Sequence, residues 1–181
     1  MAALDELRNR LPEAAKDIKL NLQTVLQDGT LSPAQRYGVA IASAIAARST
    51  ELRDALLADA PPEAGEAVVE DAKAAAALMA MNNVYYRFRH MVGKPEYGAM
   101  PARLRMTRIA NPKTTKLDFE LLCIAVSALN GCEMCVQSHE RSLIEMGATT
   151  AQIHDAVRIA AVVHAVGVAL ELEPMGTAET P

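Results

Sequence analysis

The most reactive pattern in the sequence is a pair of cysteines, Cys132 and Cys135, separated by two residues. Gly131 comes directly before the pair, where it breaks one helix and lets the next begin near Cys132. Cysteines at this spacing can close a small disulfide ring. The unpaired N–H groups and positive dipole end of a helix start stabilise a thiolate, which is the nucleophile of thiol–disulfide exchange. The pair therefore predicts redox chemistry.

Two further residues could handle the protons of this chemistry. His139 follows Cys135 by four residues, a spacing that places both side chains on one face of a helix. It can take a proton from Cys135 or hold its anion, directly or through water. Glu120 lies in an apolar stretch of the preceding helix, and a buried carboxylate there could exchange protons with a histidine or a thiol. The hairpin through Gly131 can bring the three residue types together.

The same residues leave other interpretations open. Both cysteines could bind zinc together with His139 and Glu120, although structural zinc sites more often use two close pairs of ligands. Either proton-handling residue could instead be an ordinary helix surface residue. A thioredoxin-like mechanism would make Cys132 the attacking thiol, whereas the position of His139 favours Cys135. Cys123 stands in an apolar run and is expected to be a small core residue.

Helix signals recur along the chain, and strand signals are nearly absent, so we predict an all-α protein. Ser32-Pro33-Ala34-Gln35 and Thr149-Thr150-Ala151-Gln152 each begin a helix with a capping box. The polar segment Asn82–Arg87 could line a pocket, but helix capping and packing are the favoured interpretation. The predicted helices cover about residues 11–27, 33–48, 62–86, 116–130, 132–146 and 150–172, with irregular segments at 93–101 and 111–115.

A shift of 84 residues aligns the chain with itself without a gap. It places Asp71 on Asp155 and Ser43 on Ser127, although many of the other matches are alanines. We expect one domain over residues 1–181 that could contain an internal duplication. Its halves would be a degenerate first copy at about 12–100 and a redox-active second copy at about 101–175. None of the four candidate reactive residues keeps its residue type at the matching position of the first copy.

Composition and charge exclude several classes of protein. The net charge is −4 and no long basic run occurs, so nucleic-acid binding has little support. The charged N-terminus does not resemble a secretory signal, and no stretch reaches about 18 consecutive apolar residues, which argues against a membrane span. We expect a cytoplasmic protein. His90, His154 and His164 stand in no motif and are expected to be structural.

On the basis of the cysteine pair, His139 and Glu120, the chain closely resembles the alkyl hydroperoxidase AhpD family, within the carboxymuconolactone decarboxylase-like superfamily. The similarity covers nearly the full length and is not confined to the cysteine motif. The segments that carry it are Ala15–Leu22, Met81–Arg87, Ala110–Pro112, Phe119–Leu121 and Ala125–Cys132.

The resemblance implies a multihelical AhpD-like fold, a homotrimer and an antioxidant peroxidase. It implies a protein that reduces the peroxiredoxin AhpC and has weak direct alkyl hydroperoxidase activity. The implied electron donor is the dihydrolipoyl group of a lipoylated acyltransferase, which works with dihydrolipoamide dehydrogenase. No bound cofactor or metal is implied.

The resemblance also implies a role for each residue of the motif. Cys135 would become the sulfenic acid and form the mixed disulfide with AhpC, and Cys132 would be its proton donor and resolving partner. Glu120 and His139 would form the proton relay. Many family members have a histidine between the two cysteines, where this chain has Glu133-Met134, which puts any role of that histidine in doubt. A dithiol oxidoreductase with another donor and a decarboxylase of the wider superfamily remain as alternatives.

Overall fold

A computed structural model describes residues 2–172, and every regular element in this part of the chain is a helix. The predicted all-α fold is therefore confirmed. One 3₁₀ turn, Glu13–Ala15, leads into the second helix. The helices are α1 Ala2–Arg10, α2 Lys16–Gln27, α3 Pro33–Ala46, α4 Thr50–Ala58, α5 Glu66–Val92, α6 Pro95–Ala99, α7 Thr107–Ala110, α8 Lys116–Leu129, α9 Glu133–Glu145 and α10 Thr150–Leu170.

Both predicted capping boxes are present. The Ser32 hydroxyl accepts from the backbone N–H of Gln35, and the backbone N–H of Ser32 donates to the Gln35 side chain. Thr149 and Gln152 form the same pair of bonds at the start of α10. Each box satisfies N–H groups that the first helical turn leaves unpaired, so the helix start is fixed by local sequence.

Other helix boundaries differ from the sequence prediction. Helix α5 begins at Glu66 and not near Pro62, and it continues six residues past Tyr86 to end before Gly93, whose φ is 64°. Helices α1, α4, α6 and α7 are additional to the predicted set, and α6 lies within the segment 93–101 that was expected to be irregular. No glycine lies at the break between α3 and α4. Arg48 adopts the left-handed conformation there, with φ 58°. The usual helix-end signal is therefore missing there.

The core lies between four central helices. Helix α3 packs against α5, α8 and α10, and α8 also packs against α5 and α10. Helix α9, which follows the cysteine turn, packs against α5 and α8. The largest fully buried side chains include Leu22, Ile41, Met79, Phe119, Ile124 and Val163. The candidate site therefore stands on a rigid, close-packed support.

Two buried aspartates make matching contacts between distant segments. Asp155 on α10 accepts from the backbone N–H of Thr30 at 2.7 Å and from its hydroxyl at 2.8 Å. Asp71 on α5 accepts from the backbone N–H of Thr114 at 2.7 Å and from its hydroxyl at 2.8 Å. Each threonine and each aspartate lies 84 positions from its counterpart, which is the shift of the predicted repeat. The internal duplication stays a prediction, and this reciprocal pair of contacts supports it.

Helix α10 is long and apolar enough to cross a membrane, judged by length and composition alone. Its residues Ile159, Val163 and Val166 are buried in the core, and the helix packs against α2, α3 and α8. A core helix of a folded domain has the same composition, so α10 gives no support for a membrane span.

Candidate active site

The turn between α8 and α9 positions the two cysteines. Gly131 adopts φ 65°, a left-handed conformation that glycine tolerates without strain, and the chain then turns sharply into α9. The backbone N–H of Cys132 donates to the Ser127 carbonyl at 3.1 Å, which closes the end of α8. Cys132 is the N-cap residue of α9, and Cys135 lies in its first turn. The cysteine pair therefore stands at the positive end of the α9 dipole.

The structure holds the cysteines in the disulfide form, with Cα atoms 5.3 Å apart. The two sulfurs differ in their surroundings. Cys132 is 0% exposed, whereas Cys135 is 6% exposed and lines a cavity of about 410 Å³. Cys132 does not contribute to the walls of that cavity. Of the two cysteines, Cys135 is therefore the one that a reagent in the cavity can contact.

Glu120 and His139 form a close pair in the wall of the same cavity. The Nδ1 nitrogen of His139 lies 2.6 Å from Oε2 of Glu120, and both side chains line the same cavity as Cys135. Their side chains are largely buried, with exposures of 6% for Glu120 and 13% for His139. Because Nδ1 is engaged with the carboxylate, Nε2 is the ring nitrogen left to exchange a proton with a sulfur or a substrate. The structure thus brings together three of the four residues expected from the sequence around one cavity, with Cys132 directly behind them.

Two residues of the cavity wall come from the second half of α5. Asn82 and Tyr86 face the redox site, one helical turn apart. The sequence interpretation favoured helix capping and packing for this segment, and it is wrong on capping because α5 continues to Val92. The i, i+4 spacing of these two side chains was the only signal that could have indicated a shared face. The remaining lining residues are Met106, Ile109, Met134, Ser138 and Ser142.

The same segment of α5 supports the cysteine turn from behind. The Asn83 amide donates to the Ser127 hydroxyl at 3.0 Å and accepts from the Asn130 amide at 2.9 Å. The Arg87 guanidinium donates to the backbone carbonyl of Asn130. These bonds fix the residues that precede Gly131. One helix therefore supplies both a wall of the cavity and the support of the turn that holds the disulfide.

Other candidate residues stay outside the site. Cys123 is a free, fully buried thiol, as expected of a core residue. Burial, followed by the nearby charge of Glu120, raises its pKa well above the ordinary thiol value, so it is a poor nucleophile. His90 lies 3.4 Å from Glu133 at the surface and does not line the cavity.

The structure of residues 2–172 gives no support for a metal site. Within residues 2–172, no three or more His, Cys, Asp or Glu side chains are grouped so as to hold a metal ion. The zinc interpretation of the motif therefore has no geometric counterpart in the described part of the chain.

Comparison with known proteins identifies the family. Residues 95–173 match the family model described as the carboxymuconolactone decarboxylase family. The alkyl hydroperoxide reductase AhpD of Anaeromyxobacter dehalogenans (strain 2CP-C) is 67% identical over 172 residues, which cover 95% of this chain and 92% of that protein. Proteins of the same description from Rhodopseudomonas palustris (strain BisB18) and Brucella abortus (strain 2308) are 49% and 46% identical, over 93% of this chain and 93% and 97% of their own lengths. The chain therefore belongs to the AhpD family, within the carboxymuconolactone decarboxylase superfamily.

Proposed function

We propose that this protein is an antioxidant dithiol–disulfide oxidoreductase that reduces alkyl hydroperoxides and regenerates the peroxiredoxin AhpC. The electrons would come from a dihydrolipoyl group on a lipoylated acyltransferase, itself kept reduced by dihydrolipoamide dehydrogenase. The observation that carries the proposal is the disulfide whose Cys135 lines one cavity together with the Glu120–His139 pair. The described relatives are alkyl hydroperoxide reductases by name, which supports the same conclusion.

The oxidative half-reaction begins with the reduced dithiol. His139, oriented by Glu120 through Nδ1, takes the proton of the Cys135 thiol at Nε2. The thiolate attacks the terminal oxygen of a hydroperoxide, so that an S–O bond forms and the O–O bond breaks. The sulfur becomes a sulfenic acid, and the alkoxide leaves and takes up a proton as the alcohol. With AhpC, the thiolate instead attacks the AhpC disulfide, forms a mixed disulfide and releases one AhpC thiolate.

Cys132 resolves either product without leaving its shielded position. Its thiolate, at the N-cap of α9, attacks the Cys135 sulfur and forms the disulfide seen in the structure. The leaving group is water from the sulfenic acid or the second AhpC thiol from the mixed disulfide. The α9 dipole lowers the energy of the Cys132 thiolate before this attack and again when the disulfide is reduced.

The reductive half-reaction reverses the flow of electrons. A dihydrolipoyl thiolate attacks Cys135, because Cys132 is shielded, and displaces the Cys132 thiolate. The second dihydrolipoyl thiol then attacks its neighbouring sulfur, which frees Cys135 and closes the lipoyl disulfide. A dithiol donor of another class would follow the same path, so donor identity is the part of the proposal that competes with a general dithiol oxidoreductase.

A homotrimer is part of the proposal and is supported by an exposed apolar face. Val84, Phe88 and Met91 follow one another at helical spacing on α5, with exposures of 61%, 45% and 76%. Tyr97 and Met100, just after α5, are exposed as well. A row of exposed apolar side chains on one helix face is typical of a subunit interface. We place the assembly in the cytoplasm.

The residue between the cysteines should weaken direct peroxidase activity. Met134 lines the cavity in the position where many AhpD-family members have a histidine. A thioether cannot relay protons at neutral pH, so the single histidine His139 carries the proton transfer. We therefore expect AhpC regeneration to be faster than direct peroxide reduction.

The decisive experiment measures peroxide consumption with AhpC, a lipoylated acyltransferase, dihydrolipoamide dehydrogenase and NADH. Turnover that needs both the donor and the protein, is lost in Cys135→Ser and is kept in the matched control Cys123→Ser supports the proposal. Cys132→Ser should accumulate a mixed disulfide through Cys135. No turnover in the wild type despite a titratable dithiol would refute it, and turnover with another dithiol alone would favour the general oxidoreductase.

A further inference from the structure

Asn82 is a buried polar residue that the mechanism above does not use. It lies on α5, is 5% exposed and lines the cavity with Cys135 and His139. Its Oδ1 atom is shielded from solvent and has no hydrogen-bond partner. The amide nitrogen Nδ2 makes no hydrogen bond to any residue from 2 to 172 and is not shielded in the same way. Nδ2 is therefore the polar atom that the residue has available for the cavity.

The neighbouring residue shows how unusual this arrangement is. Asn83 is 1% exposed, and its amide is paired at both ends, with Ser127 and Asn130. An unpaired buried amide destabilises a fold, and an apolar side chain of similar shape would avoid that cost. Asn82 thus contributes no hydrogen bond to the fold, and its place in the wall of the redox cavity requires another explanation.

We infer that Asn82 is a substrate-binding residue. Its Nδ2 donates a hydrogen bond to the carbon-bound oxygen of a hydroperoxide held against Cys135. This inference rests on the proposed function and names a further residue of the same site. As the thiolate attacks the terminal oxygen, the O–O bond breaks and the electron pair moves to the alkoxide oxygen. An N–H group directed at that oxygen stabilises the developing negative charge. The proton that completes the alcohol comes from the protonated His139.

The proposed role of Asn82 can be tested by changing the atom that accepts its hydrogen bond. Peroxide and alkoxide oxygens are good hydrogen-bond acceptors, whereas the sulfur of a disulfide or a thiol is a weak one. The Asn82 amide should therefore assist attack on an oxygen–oxygen bond far more than exchange between sulfurs. A residue that only shaped the cavity would affect both reactions together.

The experiment compares Asn82→Leu with the matched control Asn83→Leu, and uses Asn82→Ala as a second variant of the same position. The reduced proteins are mixed with cumene hydroperoxide, and loss of the Cys135 thiol is followed by stopped flow. The oxidised proteins are mixed with dithiothreitol, and disulfide reduction is followed in the same way. The melting temperature of each oxidised protein is also measured.

We expect Asn82→Leu to slow oxidation by the hydroperoxide by at least about tenfold, since one donor of this type is worth about 10²-fold or more in a closed site. Reduction by dithiothreitol should stay within about threefold of the wild type, because sulfur is a weak acceptor. The melting temperature should be unchanged or higher, whereas Asn83→Leu should lower it, because only Asn83 has partners to lose.

An unchanged hydroperoxide rate in both Asn82 variants would overturn the inference while leaving the proposed function intact. The same holds for an equal loss in the two reactions, or for a fall in melting temperature matching that of Asn83→Leu. A wild-type dithiol that fails to react with any hydroperoxide would instead overturn the peroxidase part of the proposed function and this inference with it.

Discussion

Replacing Asp71 by asparagine tests whether one buried carboxylate holds the far wall of the redox cavity in place. Asp71 is 0% exposed and accepts four hydrogen bonds, one from Nε of Arg108, two from backbone N–H groups and one from the Thr114 hydroxyl. Nη2 of Arg108 also lies 2.8 Å from the carboxylate, in an ion pair. Arg108 stands beside Ile109 on α7, and Ile109 lines the cavity. The carboxylate therefore links α5 to the segment that leads into α8 and Glu120.

The size of the effect follows from these contacts. Breaking a buried ion pair by removing one charge costs about 3–5 kcal/mol. For a chain of this length, each kcal/mol corresponds to about 2–4 °C in melting temperature, so Asp71→Asn should melt about 6–20 °C below the wild type. Loss of the bond to Arg108 should also displace the neighbouring Ile109 in the cavity wall. This should slow hydroperoxide reduction by about fivefold to tenfold, because small displacements in a reaction site reduce the rate strongly.

Asp155→Asn is the matched control. Asp155 makes the equivalent bonds to Thr30 and an ion pair with Arg158, but none of these residues lines the redox cavity. The Asp155→Asn variant should lose about 2–4 kcal/mol of its free energy of unfolding, because hydrogen bonds to a charged group are worth about 1.5–3 kcal/mol each. Its hydroperoxide rate should stay within about twofold of the wild type, as expected of distant sites. Thermal unfolding by circular dichroism and stopped-flow oxidation measure both quantities. A melting point of Asp71→Asn within about 2 °C of wild type, or an equal loss of rate in the two variants, would refute the reasoning.

Further changes have equally definite outcomes. Burial alone would raise the pKa of Asp71, but the Lys113 and Thr114 groups that donate to it, together with Arg108, lower the pKa below its ordinary value. The stability that Asp71 contributes should be complete above its unfolded-state pKa of about 3.9 and should be lost as the pH falls through its lower folded-state pKa. The stability of Asp71→Asn should therefore depend less on pH in the acid range than that of the wild type, as measured by thermal unfolding at several pH values. An unchanged dependence on acid pH would contradict this. Glu120→Gln should slow thiol oxidation by about 10²-fold, the usual contribution of general acid–base catalysis, as followed by stopped flow; a rate within threefold of wild type would exclude the relay. Cys123→Ala should leave that rate within about twofold of wild type, because the thiol is buried and its pKa is raised, and a larger loss in the same assay would give Cys123 a role.

The positions of the cysteine pair and of His139 could be predicted from the sequence because the signals for them are local. The spacing from Cys132 to Cys135 and on to His139 determines which side chains share the first turns of α9, and Gly131 marks where that helix can begin. Both capping boxes were predicted for the same reason. Glu120 required one step more, because its side chain meets His139 only when α8 and α9 pack together.

The rest of the site depends on packing between distant segments, which a single sequence does not display. Asn82 and Tyr86 enter the cavity because α5 crosses α8 and α9, and nothing near them in the sequence indicates that crossing. Asp71 was noted only for its match to Asp155. Its contacts with Arg108 and Thr114 join residues about 40 positions apart, and no local pattern predicts them.

The arrangement assigns different tasks to two chemically identical thiols. Cys135 lines the cavity and meets every external reagent in the proposed cycle, whether peroxide, AhpC or a dihydrolipoyl group. Cys132 is fully buried, so in that cycle it would react only within the protein, and its place at the start of α9 would stabilise its thiolate as attacking or leaving group. Because Cys132 is shielded and Cys135 lines the cavity, each mixed disulfide of the proposed cycle would form on Cys135, the sulfur that Cys132 can then attack.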